Sequence, residues 1–384
     1  MPQFARKEIV IEGEVGIYHC MSRCVRRALL CGEDPLTGRD FSHRKDWIRN
    51  RLKLLLNSFA IELCDYAVMP NHIHLVVRTR PDLVATWSDQ EVVRRWWRVF
   101  PKRRKRDGSP QELRQKDVDV LLADADMVEK KRGRLSSLSW LMRCLKEWVA
   151  RRANKEDECT GRFWEGRFKC QALVDDAAVL TCSMYVDLNP VRAKLAETPE
   201  ESEYTSVKDR IDGQKLRKRT ARNKKPRGRH HKDTRPGPDD WLCPILSEAE
   251  VRAARKPVQS QGEKGDKTST GSDTCLDARS TTTSAITAAT PSPSFLPMGV
   301  NDYLRLLDWT GRQIRDDKPG AIPTRLAPIL DRLALTDETL LEALTQFGKS
   351  FRRCVGMGET VAAKAAEAGK HWFQGVNACR RTFG

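Results

Sequence analysis

The chain has 384 residues and a net charge of +17, with 39% hydrophobic and 32% charged residues. That length allows two or three domains, and the excess of cations favours a polyanionic partner, most commonly a nucleic acid; a soluble protein with a basic tail is the alternative. No stretch approaches the roughly 20 apolar residues that a membrane-spanning helix needs, so no such helix is predicted.

Twelve cysteines invite a disulfide or zinc interpretation, and their spacing argues against both. No Cys-x-x-Cys pair occurs, and no His or Cys pair follows Cys20, Cys24 and Cys31 at zinc-finger spacing. The chain also opens without an apolar signal segment. We therefore expect reduced thiols in a cytoplasmic protein.

Hydrophobic periodicity predicts a folded domain over residues 1–212. The patterns predict strands over 15–22, 61–68, 72–79 and 162–173, and helices over 44–59, 88–100, 135–152 and 176–195. Strands and helices mix without strict alternation, which predicts an α+β fold.

The stretch from Met69 to Val77 contains a His-x-His pair on a predicted strand. Successive side chains of a strand point to opposite faces, so His72 and His74 share one face while Ile73 points into the core. Two neighbouring imidazoles make half of a divalent-metal site. The alternative is two histidines on a half-exposed strand, which a bare His-x-His motif does not exclude.

A basic segment with interleaved aromatic residues covers 94–106, where eight Lys or Arg occur without an acid. Aromatic rings among cations suit stacking on unpaired bases and pairing with phosphates. A solvated helix end is the alternative. The candidate DNA contacts in this segment are Arg94, Arg95, Trp96, Trp97, Lys102, Arg103 and Arg104.

The stretch from Cys182 to Ala193 places a tyrosine and an asparagine four residues apart on a predicted helix. Tyr185 and Asn189 therefore share a helix face. A tyrosine hydroxyl can attack a DNA phosphate, and an amide oxygen suits a hard metal beside two histidines. Pro190 favours a kink at this point. A core aromatic on an amphipathic helix is the alternative role for Tyr185.

The composition changes after residue 212. From 214 to 235 there are eleven Lys or Arg and one acid, and a stretch rich in Ser, Thr, Gly and Pro follows to about residue 294. Such a composition cannot bury enough surface to offset chain entropy, so a disordered linker is predicted over 213–294. Apolar spacing returns over 295–384 and predicts a small helical C-terminal domain.

Four pieces in order resemble the REP-associated tyrosine transposases, a group of single-tyrosine transposases of the HUH class. They are residues 18–23 (YHCMSR), 69–77 (MPNHIHLVV), 161–168 (GRFWEGRF) and 185–193 (YVDLNPVRA), within a region of roughly 13–210. The segment from Trp87 to Leu135 is longer than expected for this family. Further candidate DNA contacts within or beside these pieces are Arg23, Arg162, Trp164, Arg167 and Arg192.

The resemblance implies a ferredoxin-like α+β fold with Tyr185 as nucleophile, His72 and His74 as metal ligands and Asn189 as the third. It implies DNA nicking through a 5′-phosphotyrosine. A mixed nitrogen and oxygen shell suits Mg²⁺ or Mn²⁺, and a phosphate inside a regular duplex is hard to reach, so single-stranded or hairpin DNA is the expected substrate. We expect a cytoplasmic, nucleoid-associated protein. A homodimer is compatible with the sequence. A DNA-binding regulator without nicking activity is the alternative; a small-molecule metal hydrolase is poorly supported by seven histidines, two of them in the basic tail.

Overall fold

The computed structural model describes residues 8–25, 29–106, 109–222, 236–246, 294–313, 335–347 and 350–383. These residues form an α+β fold in which helices flank one mixed sheet, so the predicted fold class is confirmed. None of the helices in these ranges is both long and apolar enough to cross a membrane.

Five strands form the sheet in the order β2-β3-β1-β4-β5. Neighbours are antiparallel except β4 and β5, which are parallel. The first four strands have the ferredoxin-like order, with β1 and β3 at the centre. The strands are β1 (Gly16–Arg23), β2 (Ile61–Val68), β3 (His72–Thr79), β4 (Lys169–Leu173) and β5 (Cys354–Val355).

The described part of the chain before residue 223 contributes nine α-helices, several of which pack on the sheet. Helices α1 and α6 contact each other, and α7 packs against β2, β3 and β4. Three of the four helix predictions match in place, and the fourth is divided. The helices are α1 (Arg44–Leu56), α2 (Pro81–Thr86), α3 (Asp89–Val99), α4 (Gln115–Leu122), α5 (Ala125–Ser136), α6 (Leu138–Glu156), α7 (Asp176–Asp187), α8 (Asn189–Arg192) and α9 (Ser206–Arg222).

The strand predicted over 162–173 is correct only for its second half. Residues 162–168 form an irregular loop beside the end of β1, where the Val25 N–H donates to the Phe163 carbonyl at 2.9 Å and the Glu165 N–H to the Arg23 carbonyl at 3.0 Å. Phe163 and Trp164 are adjacent and both buried, whereas a strand would send them to opposite faces. Residues 162–168 therefore pack as a loop and do not follow the alternation of a strand.

The helix predicted over 176–195 divides at Leu188. Helix α7 ends at Asp187 and the short α8 begins at Asn189, with Pro190 in its first turn. Proline lacks an N–H, so it is tolerated in the first turn of a helix and disfavoured in the interior. The kink expected at Pro190 is thus a break between two helices.

The predicted linker is partly structured where the structure describes it. Helix α9 continues to Arg222, so residues 214–222 are helical and not disordered. Residues 236–246 pack against β2, where the Cys243 N–H donates to the Leu63 carbonyl at 2.7 Å. The rest of the predicted linker, 223–235 and 247–293, lies outside the described residues.

The C-terminal part is helical, as predicted, and the described part of it packs onto the sheet. Strand β5 extends the sheet beside β4, and Tyr303, Leu340 and Phe351 belong to the same hydrophobic core as the strands. The described residues of this part therefore share the hydrophobic core of the sheet. The helices here are α10 (Val300–Gln313), α11 (Asp337–Gln346), α12 (Gly358–Glu367) and α13 (Val376–Phe383).

Candidate active site

The two histidines of β3 lie side by side, as strand alternation requires. Their ring centroids are 4.7 Å apart; His74 is buried and His72 half-buried. Burial lowers the pKa of His72 to about 4 and holds the pKa of His74 well below its usual range, and Arg23 and His19 add to both effects. Both rings are therefore neutral near pH 7, and each keeps a nitrogen lone pair for a ligand.

A third histidine, His19 of β1, belongs to the same cluster. It was not assigned to the site from the sequence. Its Nε2 lies 2.8 Å from His74 Nδ1, and the two ring planes are within 10° of parallel, with centroids 5.1 Å apart. Burial lowers the pKa of His19 to about 4. A usable signal existed, because strand alternation puts His19 on the face opposite Tyr18 and Cys20. The register between β1 and β3 was needed to bring it to His74.

Tyr185 of α7 stands over this cluster. Its ring is nearly perpendicular to that of His74, with centroids 5.6 Å apart, and Phe347 stacks on it at 5.0 Å. The Arg192 guanidinium lies 5.7 Å from the ring centre. Burial raises the pKa of Tyr185, while the positive charge of Arg192 opposes the shift. The structure thus brings the predicted nucleophile and both predicted histidine ligands together.

Asn189 also reaches the site, although its amide makes a different contact from the one predicted. Its Nδ2 donates to the Tyr185 main-chain carbonyl at 3.0 Å, across one helical turn. The i, i+4 relation with Tyr185 therefore survives the break before Pro190. This bond uses the amide NH₂ group, whereas the metal role was predicted for the amide oxygen.

The side chains present suit a metal site that substrate and water complete better than a site formed by protein ligands alone. His74 Nε2 is buried and has no hydrogen-bond partner among the described residues, which leaves a directed lone pair for a cation. Over the same residues, no three His, Cys, Asp or Glu side chains are grouped closely enough to hold a metal by themselves. Two imidazoles can supply part of a coordination shell, and a substrate oxygen and water would complete it.

The predicted DNA contacts Arg23, Arg162, Trp164 and Arg167 lie at the end of β1 and on the loop after α6. Arg23 is the last residue of β1 and pairs with His72 in the register of β1 with β3. Its positive charge acts to lower the pKa values of His72 and Tyr185. Arg162 and Arg167 are exposed on the loop after α6. Trp164 is instead buried, with its Nε1–H donating to the Lys146 carbonyl at 2.9 Å, so this ring is structural.

The basic segment 94–106 divides into structural and accessible side chains. Trp97 is buried and donates from Nε1 to the Gln111 carbonyl at 2.8 Å, so its predicted stacking on bases is not available in this arrangement. Arg95 pairs with Glu91 at 2.6 Å, and Arg103 pairs with Asp117. The side chains of Arg94, Lys102 and Arg104 are exposed, and Trp96 is half-buried.

Comparisons with known proteins found one distant likeness. No protein-family model matches the sequence, and no curated protein matches it. The solved structure of a REP-associated tyrosine transposase bound to a REP hairpin aligns with 62% of this chain and 97% of its own, at 13% identity and a TM-score of 0.31. Values this low indicate a distant relationship at most.

Proposed function

We propose that this protein is a metal-dependent single-strand DNA endonuclease and strand transferase that acts through a 5′-phosphotyrosine on Tyr185. The observation that carries the proposal is the Tyr185 ring, 5.6 Å from the ring of a buried, neutral His74 whose Nε2 has no partner among the described residues. The ordered set of four sequence motifs supports the same assignment.

The proposal includes a divalent cation, Mg²⁺ or Mn²⁺. His72 and His74 would hold it, and Asn189 is the candidate third ligand through its amide oxygen, while its NH₂ group binds the Tyr185 carbonyl. When bound, the cation would polarise the phosphoryl oxygens of the scissile phosphate. The positive charges of Arg23 and Arg192 near Tyr185 favour the approach of that phosphate.

The step assigned to Tyr185 exchanges one phosphate ester for another. The phenol oxygen forms a bond to phosphorus while the bond from phosphorus to O3′ breaks, which leaves the downstream fragment on the protein through its 5′-phosphate and releases the upstream fragment with a free 3′-OH. The phenol loses a proton and the leaving O3′ gains one, so no proton is consumed overall. A 3′-OH of another strand can then reverse the exchange and join that strand, and the retained ester makes ATP unnecessary.

The DNA path we infer runs from Arg23 over the loop after α6. The Glu165 N–H binds the Arg23 carbonyl, and Lys146 of α6 donates to the Gly166 carbonyl at 2.7 Å, so the loop links the site to α6. Trp140 and Arg143 follow on the α6 surface. Cations and aromatic rings in one continuous path suit an unpaired strand, whose phosphates and base faces are both accessible.

The decisive experiment incubates the protein with end-labelled single-stranded hairpins and Mn²⁺ and resolves covalent adducts on a denaturing gel. Wild type should form an adduct that EDTA prevents. Tyr185→Phe should form none and should bind the hairpins with nearly unchanged affinity, because only one hydroxyl is removed.

Tyr204→Phe is the matched control, since Tyr204 donates its hydroxyl to Asp46 outside the site. This variant should form the adduct normally. An adduct in Tyr185→Phe would assign the nucleophile elsewhere. Tight hairpin binding without an adduct, across substrates and metals, would favour the regulator without nicking activity.

A further inference from the structure

A chain of hydrogen bonds leads from the C-terminal part of the protein to the candidate metal ligand. Gln171 of β4 donates from Nε2 to the Phe351 main-chain carbonyl at 2.7 Å, and its Oε1 lies 3.1 Å from His19 Nδ1. His19 Nε2 in turn lies 2.8 Å from His74 Nδ1. His19 and His74 are buried, so water does not replace these partners.

The direction of each hydrogen bond in this chain follows from the Phe351 carbonyl at its start. A main-chain carbonyl only accepts, so Gln171 must present its NH₂ to Phe351 and its oxygen to His19. His19 Nδ1 must then carry a proton, and a neutral His19 has a bare Nε2. That nitrogen accepts, so the proton between the two rings belongs to His74 Nδ1. His74, also neutral, is left with its lone pair on Nε2.

We propose that Gln171 and His19 are positioning residues that hold His74 in the Nδ1–H tautomer, with the C-terminal Phe351 carbonyl as their anchor. The tautomer directs the Nε2 lone pair, which has no partner among the described residues, at a divalent cation. This inference rests on the proposed metal-dependent function and adds the residues that prepare one ligand. It also gives residues 350–353, which lie beyond the motif-bearing region, a role in the site.

His72 shows the same arrangement on a smaller scale. Its Nδ1 lies 2.6 Å from Asn71 Oδ1, so an Nδ1–H donated to that oxygen leaves His72 Nε2 bare as well. The two candidate ligands would then offer the same ring nitrogen. Ligating histidines commonly donate their other N–H to a fixed acceptor, which sets ring orientation and raises ligand basicity.

The test uses the full-length protein and reads the tautomer and metal affinity separately. With [¹⁵N]histidine labelling, metal-free wild type should show His74 protonated on Nδ1. Gln171→Met keeps a similar volume and removes both the amide oxygen and the NH₂ group. His74 should therefore become a mixture of tautomers. Mn²⁺ affinity, measured by titration with electron paramagnetic resonance, should fall about 10- to 100-fold.

A second pair of variants separates positioning from folding. His19→Gln places an amide oxygen near the former Nε2 and should retain most of the Mn²⁺ affinity, whereas the shorter His19→Asn should lose it. Thermal unfolding checks that all variants fold. Wild-type His74 protonated on Nε2, or unchanged Mn²⁺ affinity in folded Gln171→Met, would overturn the inference. Wild type that binds no Mn²⁺ would overturn the proposed function instead, and the tautomer would still be readable.

Discussion

Asp187 joins the site helix α7 to the C-terminal part of the protein. Its carboxylate accepts hydrogen bonds from Ser206 Oγ at 2.6 Å, from the Val207 N–H at 3.1 Å and from the Tyr303 hydroxyl at 2.7 Å. Burial and the neighbouring Asp65 raise its pKa. A buried carboxyl group of this kind depends on its donors, because water cannot replace them.

Tyr303→Phe should therefore destabilise the whole fold. The change removes one buried donor and leaves an Asp187 oxygen without its partner, at a cost of about 1–3 kcal/mol. Urea unfolding followed by circular dichroism measures the loss. Tyr204→Phe removes a hydroxyl whose Asp46 partner is accessible to water, and it should change the free energy of unfolding by less than about 0.5 kcal/mol. Equal effects of the two variants would contradict the importance of the Asp187 network.

Side chains of α3, α5 and α6 form an aromatic and cationic surface. Two guanidinium groups lie near the Trp140 ring of α6, that of Arg134 of α5 at 4.4 Å from the ring centroid and that of Arg143 at 5.0 Å. Trp96 of α3 approaches Trp140 at 6.0 Å and contacts Phe100, which is 37% exposed, at 4.4 Å. Flat rings beside cations provide a stacking surface for unpaired bases.

Trp140→Leu should weaken binding of single-stranded DNA. The loss of one stacking ring is worth about 1–3 kcal/mol, or about 5- to 150-fold in affinity. Fluorescence anisotropy with a labelled oligonucleotide over a salt series measures it, and the salt dependence should stay the same because no charge is removed. Trp148→Leu is the matched control, since Trp148 lies on the same helix beside Arg51 and Arg152 and does not line this surface. Equal losses of affinity in both variants would show that this surface does not bind the DNA.

Part of the net charge of +17 lies in a short cationic segment that follows helix α9 in the sequence. Residues 223–235, which lie outside the described residues, contain six Lys or Arg and one acid. Such a segment binds phosphates without sequence preference, through counterion release, and leaves the choice of site to the folded part.

Replacing 223–235 by a Gly/Ser segment of equal length should lower affinity for every DNA tested. The slope of log K against log salt should flatten by up to about 3.5 for a single strand. Anisotropy over a salt series checks this, and nicking assays check site choice. An unchanged slope would make the segment a spacer. Loss of nicking at a preferred site, with general binding retained, would mean that the segment reads sequence.

Local patterns were sufficient for much of the fold and for the residues at its centre. A β-rich composition over 61–68 and 72–79 predicted β2 and β3 with their bounds, and strand alternation placed His72 and His74 on one face. The four-residue spacing put Tyr185 and Asn189 on one side of a helix. Both regularities arise from backbone geometry within a few residues, which is why the sequence alone contained them.

The tertiary structure decided what lies around those residues. His19 is 55 positions from His74, and only the pairing of β1 with β3 brings their rings together. Spacing within a helix did not show that Trp97 faces the core, and composition did not show that residues near 350 pack against β4 and Tyr185. Such contacts join segments far apart in the chain, so their partners are set by the burial and hydrogen bonding of the whole fold, which no local period encodes.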